Sequence, residues 1–170
     1  MVTPELIQEL ILCPKKAVRA ERKRMQSVNR SLRNKVALVS VDGKYTYDLF
    51  LRQSEEFIED FSVGLIWTNA AKYIGVNKEI ILIRFQGPHD TGKPLGEDLH
   101  HDYHVHEITV SDINERRYLR PGSKEASKDF SSFVEALHHI VSYCGIIDLE
   151  QHIDCPQLSE QLPGQESIFD

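Results

Sequence analysis

Between Arg84 and Glu107 the chain reads RFQGPHDTGKPLGEDLHHDYHVHE, and five of its eight histidines, His89, His100, His101, His104 and His106, fall inside that stretch. Imidazole changes charge near neutral pH and is also the commonest metal ligand, so such a cluster points to proton transfer or metal binding. In an extended strand residues two apart point the same way, which would put His104 and His106 on one face about 7 Å apart. Arg84 ends an apolar run, KEIILIRFQ, that reads as the preceding strand. If the two strands pair, Arg84 stands beside both imidazoles.

Two chemistries suit this set. In the first, His104 and His106 act as general base and general acid on an RNA phosphodiester. Arg84 stabilises charge on the phosphorus oxygens, and His89 serves as a further base or substrate contact. No metal or other cofactor is needed. In the second, His104 and His106 bind zinc with His89, Asp90 or His101 as a third ligand, since an HxH unit on a strand supplies two ligands. The bland alternatives are polar pairs on an open sheet face for His104 and His106, and a solvated loop for His100 and His101. For Arg84 the bland alternative is a salt bridge to Asp98, Asp102 or Glu107, because a lone buried charge is costly. His138, His139 and His152 read as packing or surface residues. No P-loop, Rossmann glycine pattern or GxSxG nucleophile motif is present.

The elements that must position these groups follow from periodicity. Thr3-Pro4-Glu5 is a helix start, with a capping hydroxyl, proline at the first helical position and an early acid. Leu6, Ile7, Leu10 and Ile11 recur at helical spacing. Ala17 to Arg33 reads as a second helix with a narrow apolar stripe, Val18, Met25, Val28 and Leu32. From Lys35 the period becomes two, through a strand to Val41. Asp42-Gly43 then predicts a type I′ hairpin turn. Strands over Lys44 to Arg52, Phe57 to Thr68 and Lys78 to Gln86 complete an antiparallel meander of four, and Tyr103 to Thr109 reads as a fifth strand after a long loop. Phe130, Phe133, Val134, Leu137, Ile140 and Val141 predict a helix over Ser127 to Tyr143, stopped by Gly145. The predicted fold class is α+β: an antiparallel sheet of four to five strands, with an N-terminal helix or helix pair and a C-terminal helix packed on one face. Residues 1–155 form one domain, made of a basic helical region at 1–34, a sheet at 35–110 and a helix at 127–144. A mobile acidic tail follows at 156–170.

At 170 residues the chain suits a single core, and 41% hydrophobic with 27% charged residues is ordinary soluble composition. No apolar run reaches the roughly 20 residues needed to span a bilayer, which predicts no membrane partner. The N-terminus has no secretion-signal pattern, and Cys13, Cys144 and Cys155 are odd in number and far apart. A reduced, cytoplasmic protein is the expectation. The net charge of −6 hides a strong polarity. Nine basic residues between Lys15 and Lys35 face Glu21 alone, whereas no Lys or Arg follows Lys128 and eight acids do. Lys15, Lys16, Arg19, Arg22, Lys23, Arg24, Arg30 and Arg33 therefore become candidates for contacting nucleic acid, with RNA the expected partner. A non-enzymatic regulator or inhibitor that docks through this basic segment onto nucleic acid or a protein is the alternative, and a homo-oligomer is compatible with either.

The RFQGPH run followed by HVH resembles an uncharacterised bacterial family similar to the TumE-like toxins of toxin–antitoxin modules. Arg84, Gly87, His89 and the HxH unit carry the likeness, over about the central third of the chain. Where related sequences have a further histidine, this chain has Asp90 and Thr91. The resemblance implies toxin-type ribonuclease activity and an antitoxin as protein partner.

Overall fold

A computed structural model describes residues 1–89 and 101–154. Helix α1, Pro4–Leu12, begins as its sequence requires: the Thr3 hydroxyl accepts the Leu6 amide at 3.2 Å, and Ile7, Leu10 and Ile11 turn inward. Nine strands then build one sheet: β1 (Lys15–Ala20), β2 (Gln26–Val28), β3 (Ser31–Ser40), β4 (Thr46–Ser54), β5 (Phe61–Trp67), β6 (Ile80–Gln86), β7 (His104–Glu107), β8 (Lys124–Ala126) and β9 (Ile146–Ile147). Their order is β8-β7-β6-β5-β4-β3-β1-β9, with β2 also pairing β3. All neighbours are antiparallel except β1 and β9. Two short helices, α2 (Ala70–Ile74) and α3 (Val110–Asn114), lie between strands, and α4 spans Phe133–Tyr143.

The α+β class and the β3 to β6 meander agree with the periodicity, but among the described residues the sheet has nine strands rather than four or five. Half of the difference lies in the basic segment, which supplies β1 and β2, and the rest in the short strands β8 and β9. Residues 17 to 33 are not helical: they complete β1, form β2 and begin β3. Asn29 and Arg30 link β2 to β3 with φ of 50° and 62°. Two consecutive left-handed residues between paired strands make a type I′ turn, and asparagine tolerates that conformation better than most residues. At Asp42-Gly43 only Gly43 has positive φ (78°), and its amide donates to the Ser40 carbonyl, so that hairpin turns differently from the I′ expectation. Helix α4 starts at Phe133 instead of Ser127. Ser132 caps the Glu135 amide and so fixes the start, while Phe130 enters the core ahead of the helix.

One side of the sheet is the core. Val36, Leu38, Leu49, Leu51, Phe61, Val63, Leu65, Trp67, Ile80 and Phe85 are buried there against Ile7, Leu10 and Ile11 of α1 and Phe133, Ala136, Leu137 and Ile140 of α4. Phe61 contacts the rings of Phe130 and Phe133, and His139 of α4 stacks on Phe85. His139 is therefore a packing residue. The burial of so many large side chains, at about 1.5–3 kcal/mol each, is the main force holding the helices to this face. No described helix is long and apolar enough to cross a membrane. The tail expected at 156–170 lies outside the described residues.

Candidate nucleic-acid interface

The other side of the sheet has a different composition, and the strand register specifies it. One row across the strands runs Arg33, Arg52, Ser62, Gln86, His104, Ala126. The next runs Lys35, Phe50, Gly64, Arg84, His106, Lys124. Directly paired residues share a face, so both rows point away from the helices. The expected pairing of the two strands is present, and Arg84 lies opposite His106.

These rows border a groove of about 670 Å³, lined by the cationic side chains of Arg22, Arg33, Lys35, Arg52 and Arg84. Glu21 is the one carboxylate lining it among the described residues, and Val28, Phe50, Ile66 and Ile81 supply apolar surface. Some of the positive charge is answered locally: Arg52 makes two hydrogen bonds to Asp60, at 2.9 and 3.3 Å, and Lys35 lies 3.9 Å from Asp48. Arg22, Arg33 and Arg84 form no ion pair among the described residues.

Arg84 is the exceptional one. It is half-buried and its Nε has no hydrogen-bond partner among the described residues. Burial pushes the guanidinium pKa down, and the next influence is Arg120, a second cation that pushes the same way. Of the acids considered as partners, Glu107 points to the helical side and accepts from Gln8 of α1 at 2.8 Å, while Asp98 lies outside the described residues. The usual remedy for a desolvated arginine, a carboxylate in bidentate contact, is therefore absent among the described residues.

Beside Arg84 lies a line of imidazoles. The His104 ring centroid is 5.0 Å from that of His106 and 5.3 Å from that of His89. His104 Nδ1 lies 2.7 Å from the Asp102 carbonyl and His89 Nδ1 lies 3.1 Å from the Gly87 carbonyl. A carbonyl can only accept, so in both rings Nδ1 carries the proton. His104 and His106 are 0% and 4% exposed, so neither presents surface to a polymer in this conformation. His89 does reach open space: with His101, Arg52, Gln86 and Asp60 it lines a second cavity of about 870 Å³. Arg52 and Gln86 line both hollows, so the two adjoin.

Gly87 sets where β6 hands over to His89. Its amide donates to the Phe61 carbonyl, and a Cβ there would lie 1.7 Å from the Glu59 carbonyl oxygen. Only glycine permits that backbone approach.

The candidates from the basic segment separate clearly. Lys15 is fully buried on the core side and is unavailable to any ligand. Lys16 and Arg19 are exposed and pair with Val39 and Ala37 of β3, which puts them on the groove side. Arg22 and Arg33 line the groove itself. Arg24 and Arg30 are engaged by Asp154 and Glu56, and Lys23 is exposed. Lys35, Arg52 and Phe50 also line the groove, which the sequence does not reveal because an alternating strand gives no warning which face stays uncovered. Among the described residues no group of three or more His, Cys, Asp or Glu side chains is placed to hold a metal ion. Asp90 and His100 lie outside the described residues, as does Cys155. Cys144 is buried, and burial pushes its thiol pKa up to about 12. Comparison with protein-family models, with curated proteins and with solved structures finds no match.

Proposed function

We propose that this protein binds RNA along the open face of its sheet. The observation that carries the reading is Arg84: a desolvated guanidinium in a groove with Arg22 and Arg33 and no answering carboxylate among the described residues. Such a group costs stability until an anion reaches it, and the two non-bridging oxygens of a phosphodiester match the spacing of the guanidinium's planar fork of donors. Lys16 and Arg19 extend the same positive face toward the sheet edge, as a backbone-tracking ligand requires. The test is fluorescence anisotropy with a labelled RNA oligomer at several salt concentrations. Three phosphate contacts predict a slope of log K against log salt near −2, at about −0.7 per contact for a single strand. Arg84→Ala should weaken binding roughly 10- to 100-fold. Salt-independent binding, or an unaffected Arg84→Ala, removes the proposal.

A second reading adds cleavage. His104 and His106 stand together beside Arg84, which suits metal-independent transfer of the phosphoryl group to a ribose 2′-oxygen, one imidazole taking the 2′-hydroxyl proton and the other giving a proton to the departing 5′-oxygen. The burial of both rings makes binding the primary reading and requires an opening of the site before cleavage. Loss of RNA degradation in His106→Ala, with binding retained and chelator without effect, would support it. Undiminished degradation would exclude it. Toxin-type biology and an antitoxin partner would follow only from a positive result.

A further inference from the structure

We infer that the groove takes a single strand, with one unpaired base stacked on Phe50 and neighbouring phosphates held by Arg33 and Arg84. This rests on the reading of the groove as a polyanion site, and goes beyond it by naming the form of nucleic acid.

Phe50 is the aromatic side chain lining the groove, and it is half-buried. On β5 its partner is Gly64, and a Cβ at that position would lie 2.4 Å from both Cε1 and Cζ of the Phe50 ring. The far end of the ring therefore occupies the volume that any larger residue 64 would claim. Phe50 lies over toward β5 because glycine leaves the room, and Ile66 and Ile81 line the groove nearby. In the core a phenylalanine over a glycine would be ordinary packing. Here it is on the side away from the helices, between Lys35 on one flank and Arg84 beyond Gly64 on the other.

An aromatic face among cations on an open sheet suits nucleic acid whose bases are free to stack. A paired duplex keeps its bases inside and offers only phosphates, for which a central phenylalanine has no use. An acidic peptide would use the arginines but gain nothing from the ring. Adjacent strands lie about 4.8 Å apart, so Arg84, two strands from Phe50, is about 10 Å away across the sheet. Arg33, two residues before Lys35, is on the opposite flank. Charges on both sides of a stacking platform would hold the backbone on either side of one base.

The test compares four labelled probes on the wild-type chain at low salt: a 12-nucleotide unstructured RNA, a duplex of the same length, an abasic 12-mer of equal charge, and an oligoglutamate. The single strand should bind at least tenfold more tightly than each of the others. Phe50→Leu should lose roughly tenfold for the single strand and nothing for the abasic chain. Equal binding of the abasic and base-bearing strands, tighter duplex binding, or equal binding of oligoglutamate would overturn the stacking inference. In each of those cases a polyanion still binds, and the groove reading stands. Failure of every probe would overturn both. The abasic comparison needs no variant, so it decides the matter even if Phe50→Leu misfolds.

Discussion

Lys15 and Arg84 are both desolvated cations in one sheet, and the protein treats them in opposite ways. Lys15 has 0% exposure, yet its three ammonium donors meet three carbonyls: Ile11 at 2.7 Å, Cys13 at 2.7 Å and Cys144 at 3.1 Å. Its charge also lies 4.8 Å from the Tyr47 ring centroid. Ile11 and Cys144 lie at the C-terminal ends of α1 and α4, where helix carbonyls lack intrahelical partners and the helix dipole is negative. Lys15 thus ties two helix ends to the first strand. Arg84 has more donors to satisfy and fewer acceptors around it. A saturated buried charge is architecture, whereas the unsaturated one at the edge of the groove is where we propose that a ligand binds.

That contrast can be broken by experiment. Lys15→Met should be the most damaging change, because it strands carbonyls of two helix ends. We expect a loss of about 3 kcal/mol in urea unfolding. A neutral result would mean that the three contacts contribute nothing net. Asp112 is a second saturated charge and should behave like Lys15 on a smaller scale. It is 1% exposed, caps α3 through Thr109, bonds Arg117 at 2.7 Å, and accepts the Gly122 amide at 3.0 Å. Burial alone would raise its pKa, but the hydrogen bonds from Gly122, Thr109 and Arg117 outweigh it and hold the carboxyl below its ordinary range. The unfolded chain therefore binds this proton more readily. The stability it contributes is complete above the unfolded value, near 4, and is lost as pH falls through the lower folded value. Asp112→Asn should cost about 2 kcal/mol at pH 7 and flatten the acid limb of the stability curve. An unchanged acid limb would separate it from the Lys15 class. Arg84→Met should have the smallest effect and the opposite sign. With no ion-pair partner to strand among the described residues and a desolvated charge removed, stability should rise by about 1 kcal/mol while RNA affinity falls. A clear loss of stability in Arg84→Met would show that the guanidinium is structural after all.

Much of the site could be read from residue order. His104 and His106 share a face because strand geometry demands it, and Arg84 is their neighbour because β6 and β7 pair antiparallel. The burial of both imidazoles was not legible, because a polar pair on a strand reads the same whether covered or open. The basic segment misled for a related reason. Between Ala17 and Arg33 few residues are apolar, so the helical stripe and the strand alternation are each sampled by only a few positions. The pairing with β3 decided between them by supplying backbone hydrogen-bond partners that no local propensity encodes.

By itself the sequence determined the α+β class, the β3 to β6 meander, the start of α1 and the pairing-ready HxH strand, since each depends on local periodicity or on a capping residue. Tertiary structure alone decided that residues 17 to 33 are sheet, that Lys15 is sealed while Arg22, Arg33 and Arg84 meet around Phe50, and that the cationic face is the one the helices leave uncovered. The reason is that alternation assigns residues to two faces but does not say which face will be buried. That choice belongs to the helices, and α1 and α4 carry the apolar surface that only the other face could match.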